Sequence, residues 1–423
     1  MKKFLVRVFF LSLVLIIGAT AVFAGGGRQS GSAMTMAINF HNERPEFTTF
    51  TDIIRAYSAS NPGISIELIS PPEYEHVMRT RMAANDLPDL FSTHGWSVAR
   101  YSEYLEPLNN RPWANRVNPA IAPVITNDRG QIFVLPFDVD AAGLVFNKDV
   151  LDRVGIDPFS LKTWNDFKAA AERIRSAGYM VIDIAGNVAD DWTVGNFYDW
   201  VAPSFLITNE SNNHRNALKN GTFDWNNWRA VAQLLVDFRD AGFLNPDYLQ
   251  GSWENVPRRL GSGELAFGFY SNDLINWARQ YNPNANFGFI PVPANSPNDT
   301  PTMITGERVT LGVWKNSPHK AAALAFLDHL SDPVHINRIA QIAGNQTGLV
   351  GPGYAVDTGA LKPYFDNVIG VRGFPYFDRE YLPSGMWDSL CKTGSGLLAN
   401  TMTMDQVVQR MRDDYNTLRS QQQ

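Results

Sequence analysis

Cysteine is almost missing from this chain of 423 residues, which has one, Cys391. A single cysteine excludes an internal disulfide and any multi-cysteine zinc or iron–sulfur site, so stability has to come from core packing. It also lies far from the N-terminus, whereas a bacterial lipoprotein carries its cysteine directly after the signal; lipid anchoring is therefore not expected. Basic clusters are lacking beyond the first few residues. With 36 Lys and Arg against 42 Asp and Glu and a net charge of −6, nucleic acid is not an expected partner. No later apolar run approaches the ~20 residues a spanning helix needs, which predicts a soluble mature chain. Short catalytic signatures are missing as well: there is no GxSxG, HExxH, Walker or CxxC pattern, and no metal or other cofactor is expected.

What is present begins with a targeting segment. Lys2, Lys3 and Arg7 form a basic start, Val8 to Gly18 are almost wholly apolar, and Val22-Phe23-Ala24 offers the small residues a signal peptidase accepts. Residues 1–24 thus read as a signal peptide cleaved after Ala24 or Ala21. Its loss would take the net charge from −6 to about −9, against adhesion to anionic lipid. The competing reading is an uncleaved anchor, for which the apolar run is short. The remainder is long enough for two domains, and 44% hydrophobic with 18% charged residues is a globular composition.

The stretch Asn127 to Leu151 reads as the passage from one unit to the other. Two apolar runs, Ile132 to Leu135 and Gly143 to Phe146, have strand character, with Pro136, two aspartates and a small Ala141-Ala142-Gly143 turn between them. Before it, strands at Met34 to Phe40, Ile64 to Leu68 and Leu87 to Phe91 alternate with helices carried by Phe47 to Tyr57 and Tyr74 to Met82. That is the pattern of a parallel sheet wound by helices, with ligands at the carboxyl ends of strands. After it the pattern restarts. Thr163 and Asp166 form a capping pair for a helix with Phe167, Ala170, Ala171 and Ile174 on its buried stripe. A strand follows at Met180 to Ile184, then helices at Trp192 to Leu206 and from Trp228 to Gly242. Further strands are expected at Leu265 to Tyr270, Phe287 to Ile290 and Val309 to Val313, with Asn295 to Arg308 a polar, Pro-rich loop. Helices at Lys320 to Leu330 and Met404 to Leu418 complete the pattern.

Several phrases together resemble the exported solute-binding proteins of ABC-type importers, in the carbohydrate-binding family often called family 1. Ala56 to Ile69, AYSASNPGISIELI, is similar to that family's aromatic-x-x-x-NPGI-x-V pattern. Asn85 to Leu90, NDLPDL, is similar to G-x-x-PD-hydrophobic, with Asn85 where Gly is commoner. Gly130 to Phe137 and Leu144 to Leu151 resemble G-x-IYGLP…LVYNKDLL, with Val134 for Gly and Phe146 for Tyr. Lys162 to Phe167 matches P-x-TWDEF apart from its opening Pro-x. Gly263 to Gly268 resembles G-x-AAM, and Lys320 to Leu330 the EAAWKFLKFL helix. Each phrase is weak alone; their order and spacing span nearly the whole mature chain.

The resemblance implies an α/β protein of two lobes, each a mostly parallel sheet flanked by helices, with the ligand cleft at the hinge. Lobe one would comprise 33–139 plus 309–350, and lobe two 140–308 plus 351–423. It implies a monomer that captures a sugar or oligosaccharide in the periplasm and delivers it to integral-membrane permease subunits. Such a ligand presents apolar C–H faces and a rim of hydroxyls, and so asks for aromatic rings beside planar polar groups. The 11 Trp and 14 Tyr supply the rings. In lobe one the candidates are His41, Asn42 and Glu43 past the first strand, and His94 and Trp96 past the third. Asp138 and Glu307 stand at the two crossings, where a turn cap and a salt bridge with Arg308 compete with ligand contact. In lobe two the candidates are Trp192, Tyr270, Asn272 and Trp387, while Trp164, Trp228 and Trp277 are assigned to the core. Two alternatives stay open: an exported glycoside hydrolase, needing paired carboxylates such as Asp138, Asp191 or Glu307, and the same fold with a polyamine or other small solute, for which Asp190-Asp191 would serve.

Overall fold

The computed structural model describes residues 33–422 apart from 95, 369 and 370; the targeting segment read at residues 1–24 lies outside them. Two sheets, each with its own core, organise the chain. The first has five strands in the order β2-β1-β3-β10-β4, with β1 at Met34–Ala37, β2 at Ile66–Ile69, β3 at Leu90–Phe91, β4 at Leu135–Pro136 and β10 at Thr310–Val313. The second has seven: β5 at Asp138–Asn147, β6 at Met180–Ile182, β7 at Leu265–Ser271, β8 at Phe287–Ile290, β9 at Thr302–Gly306, β11 at Gln346–Thr347 and β12 at Arg372–Pro375.

Pairing directions show what the crossings do to each sheet. In the first, β1 is parallel to β2 and β3, and β10 alone runs against β3 and β4. In the second, β5 runs antiparallel to β7, β8, β9 and β11, while β6 follows β7 and β12 follows β9. Each sheet is thus parallel but for one strand, the one that follows a passage between the sheets. Phe137 separates β4 from β5, and Glu307 to Val309 separate β9 from β10. The protein is two-lobed, with helices over both sheets.

Burial explains these elements. The core of the seven-stranded lobe runs from Ala141 on β5 to Ile304 on β9, and takes in Leu361 to Tyr415 from the C-terminal segment. The five-stranded lobe is packed around Met36, Phe50, Leu90, Leu135, Leu311 and Phe326, with a flank at Tyr74, Met78, Tyr101 and Phe133. The Trp164–Ser176 helix opens on the capping box read in the sequence: the Asp166 amide donates to the Thr163 hydroxyl at 3.2 Å, and the Asp166 carboxylate accepts from the Thr163 amide at 2.8 Å.

Two expectations are corrected. Ala141-Ala142-Gly143 is not a turn but the middle of β5, whose ten residues are all buried. The small side chains serve close packing, since a Cβ on Gly143 would lie 2.3 Å from the Ile290 carbonyl oxygen. The stretch Asn295 to Arg308 is not loop throughout, because Thr302–Gly306 forms β9 between β5 and β12. Its buried Met303 and Ile304 outweigh the polar residues around them. Among the described residues no helix is long and apolar enough to cross a membrane.

Candidate functional site

The carboxyl ends of the parallel strands from both sheets face one cleft of about 580 Å³, the place open α/β sheets offer a ligand. From the five-stranded lobe, the exit of β1 supplies Phe40 and His41, and the exit of β3 supplies His94 and Trp96. From the seven-stranded lobe, Trp192, Asn196, Asp199 and Trp200 come from the Trp192–Leu206 helix. Tyr270, Ser271 and Asp273 come from the end of β7, and Trp277 from the Leu274–Arg279 helix behind it. The C-terminal segment adds Tyr376, Asp378, Arg379 and Trp387.

Trp192, Tyr270 and Trp277 at the cleft form one connected group with Trp253. Ring centroids lie 4.7 Å apart for Trp192 and Trp253, 4.7 Å for Trp253 and Tyr270, and 5.6 Å for Tyr270 and Trp277. From the other lobe, the Arg44 guanidinium carbon sits 4.7 Å from the Trp277 ring centre, a cation–π contact across the cleft.

Charges of both signs surround the rings. Arg308 is buried at the crossing; its Nε donates to Asp138 Oδ2 at 2.7 Å and its Nη1 to Glu46 Oε1 at 3.0 Å. Asp140, next along β5, accepts from the Tyr376 hydroxyl. Burial, and then the charge of Asp273, push the Asp140 carboxyl up to about 7. Burial and the neighbouring Asp378 push Asp199 up to about 7 as well. His94 is lowered to about 3 by burial and by Arg379, so its ring is neutral. With Nδ1 3.1 Å from the Glu307 carbonyl oxygen, Nδ1 is the donor and Nε2 is left as an acceptor. The cleft therefore combines ring faces with fixed hydrogen-bonding groups of both kinds. Among the described residues no group of three or more His, Cys, Asp or Glu is placed to hold a metal.

Of the residues singled out from the sequence, His41, His94, Trp96, Trp192, Tyr270 and Trp387 line the cleft together. Asn42 and Glu43 do not; they are exposed on the turn before the Pro45–Ser60 helix. Asp138, Asn272 and Glu307 lie behind the lining, each no more than 1% exposed. Asp138 is held by Arg308, Asn345 and the Val309 amide, and Asn272 donates to the Gly344 carbonyl at 3.1 Å. Trp277, assigned to the core, is at the cleft. The buried stripe of its helix is Leu274, Ile275 and Ala278, and position 277 lies about a quarter-turn off it, a signal the spacing already contained. Arg308 was singled out only as a salt-bridge partner of Glu307, whereas its partners are Asp138 and Glu46; Arg44, Arg100 and Arg379 carried no comparable signal, because residues so far apart in sequence meet only through the fold.

With that geometry in place, comparison with known proteins is decisive: the model of the bacterial extracellular solute-binding proteins matches residues 41–334. The chain belongs to that family. Among its relatives, this solute-binding protein is 31% identical over 422 residues to the melibiose/raffinose/stachyose-binding protein MelE of Bacillus subtilis, covering 98% of this chain and 96% of the relative. A Bacillus subtilis binding protein solved in an open conformation superposes with a TM-score of 0.85 at 31% identity, covering 93% of this chain and 99% of that one. A sugar transporter protein of Bacillus licheniformis in complex with stachyose gives 0.81 at 31% identity, covering 91% and 100%. The family and these relatives are binding proteins.

Proposed function

We propose that this solute-binding protein captures a galactose-containing oligosaccharide of the melibiose, raffinose and stachyose kind and hands it to an ABC-type importer. The observation that carries this is the group of cleft rings Trp192, Tyr270 and Trp277, packed together with Trp253, which share the cleft of a family member with charged and amide groups from the opposite lobe. Rings cover the apolar sugar faces, and the polar rim orders the hydroxyls. Support for the sugar class comes from the name of the 31% identical relative and from the stachyose complex of another. Lobe one is taken as 33–139 plus 309–350 and lobe two as 140–308 plus 351–423. The chain is exported to the periplasm with its signal peptide removed near Ala24, acts as a monomer, and docks on integral-membrane permease subunits. Its chemistry is binding without turnover.

Calorimetry with melibiose, raffinose, stachyose and spermidine tests the ligand. The expected result is micromolar affinity, about −8 kcal/mol, for at least one of the sugars and none for spermidine. Recovery of the sugar unchanged after incubation checks the absence of hydrolysis. Binding of spermidine alone, or release of galactose, would overturn the proposal.

A further inference from the structure

Arg100 belongs to the five-stranded lobe by position. It lies on the turn Val98–Tyr101, whose Val98 and Tyr101 pack with Phe91, Phe133 and Val134. Its guanidinium nevertheless crosses to the other lobe. Nη2 donates to the Asp378 carbonyl at 2.9 Å and to the Leu382 carbonyl at 2.7 Å, and Nη1 lies 3.7 Å from Asp378 Oδ2. These groups belong to the short helix Phe377–Tyr381 and its end, which packs on the Trp192–Leu206 helix.

That helix carries cleft groups. The Asp378 amide donates to Asp199 Oδ1 at 2.6 Å. The Arg379 guanidinium carbon sits 4.0 Å from the Tyr376 ring centre, and the Tyr376 hydroxyl donates to Asp140. A group on lobe one thus holds the lobe-two helix to which the polar wall of the cleft is connected. With Nη2 engaged by two carbonyls, the planar fork of arginine is used for joining the lobes.

We propose that Arg100 is a positioning residue for ligand capture: by binding the carbonyl end of the Phe377–Tyr381 helix it draws the lobes to the spacing at which both can touch one ligand. This rests on the cleft being a capture site, and deepens that function by naming a residue that sets its closure. A relative solved in an open conformation indicates that the lobes of this architecture can part. A contact made across the lobes then weights the closed population, and apparent affinity scales with the competent fraction.

The test uses the full mature chain with Arg100→Ala and Arg100→Lys, ligand-free scattering, and calorimetry with stachyose. Arg100→Ala is expected to have a larger ligand-free radius of gyration than wild type, about tenfold weaker binding, and the wild-type radius at saturation. Arg100→Lys should fall between, because an ammonium keeps the charge but not the two-pronged geometry; it also serves if the alanine variant fails to fold. Weaker binding with an unchanged ligand-free radius would make Arg100 a ligand contact and overturn the proposal, as would no change in either. If the wild type bound none of the sugars, the proposed ligand would fail while ligand-free scattering still decided the role of Arg100.

Discussion

At the residue scale, Arg308 is an ion at the cleft floor that is only 5% exposed, and its neighbours decide whether that is tolerable. Asp138 accepts its Nε, Glu46 accepts its Nη1, and the other Asp138 oxygen takes the Val309 amide. Breaking a buried pair by removing one partner costs about 3–5 kcal/mol, because the other charge is left uncompensated. Asp138→Ala should therefore lower stability by that order in urea denaturation, with Asp138→Asn milder. From the sequence, Asp138 was a candidate acceptor for a ligand, and the salt bridge considered for Arg308 was with Glu307. The buried partner across 170 positions was not legible, because no local pattern encodes it. A second residue gives a pH signature. Asp199, pushed up to about 7 by burial and Asp378, keeps its proton in the folded chain at pH values where the unfolded chain has released it. Stability therefore falls as pH rises from the ordinary carboxylate range through about 7, and the penalty is complete above that. Asp199→Asn removes the titration. Its urea midpoint relative to wild type should rise between pH 5 and pH 8.

At the element scale, helices with local start signals were the most legible part. The Trp164–Ser176 helix opens on Thr163 and Asp166, and its apolar stripe repeats at helical spacing, so both its start and its buried face follow from a dozen residues. Strands were harder where small residues imitate turns. Ala141-Ala142-Gly143 reads as a break until the partners are known: Ala142 pairs with Ser271 and Gly143 with Tyr270 on one edge, and Leu144 with Ile290 on the other. Gly143 is there because the Ile290 carbonyl comes too near for a side chain. Gly143→Ala would ordinarily be mild in a strand, but here backbone must move. The expected loss is about 1–3 kcal/mol, the range for overpacking, checked by thermal melting. A stabilised variant would mean that β5 and β8 yield without strain. Tyr376 and the Phe377–Tyr381 helix carry cleft residues, yet this helix and the Arg372–Pro375 strand before it are too short to show a period, so this part of the site was not legible.

At the scale of the whole molecule, two cores meet through crossings at Phe137, at Glu307 to Val309, and at β11, which pairs with the start of β5. Alternating strands and helices, being local patterns, indicated two αβ units and one passage between them, while the second crossing near Arg308 and the split of each lobe were implied by the family resemblance alone. The return of Thr310–Val313 to the first sheet and the inclusion of Leu361 to Tyr415 in the second core depend on contacts distant in sequence. Each lobe thus has a core of its own, and besides the crossings the two are joined by side-chain contacts such as those of Arg100 with the Asp378 and Leu382 carbonyls. A ligand touching both lobes binds the folded pair and not an unfolded lobe, so it stabilises by mass action, about 2.7 kcal/mol at a concentration one hundred times its Kd. The coupling has a direction: unfolding either lobe destroys half the site and releases the ligand. Scanning calorimetry with the sugar that binds should therefore show a higher melting temperature and transitions of the two lobes drawn together, while scattering shows compaction. A higher melting temperature without compaction would place the ligand on one lobe alone, and the capture mechanism would give way to a site that does not need closure.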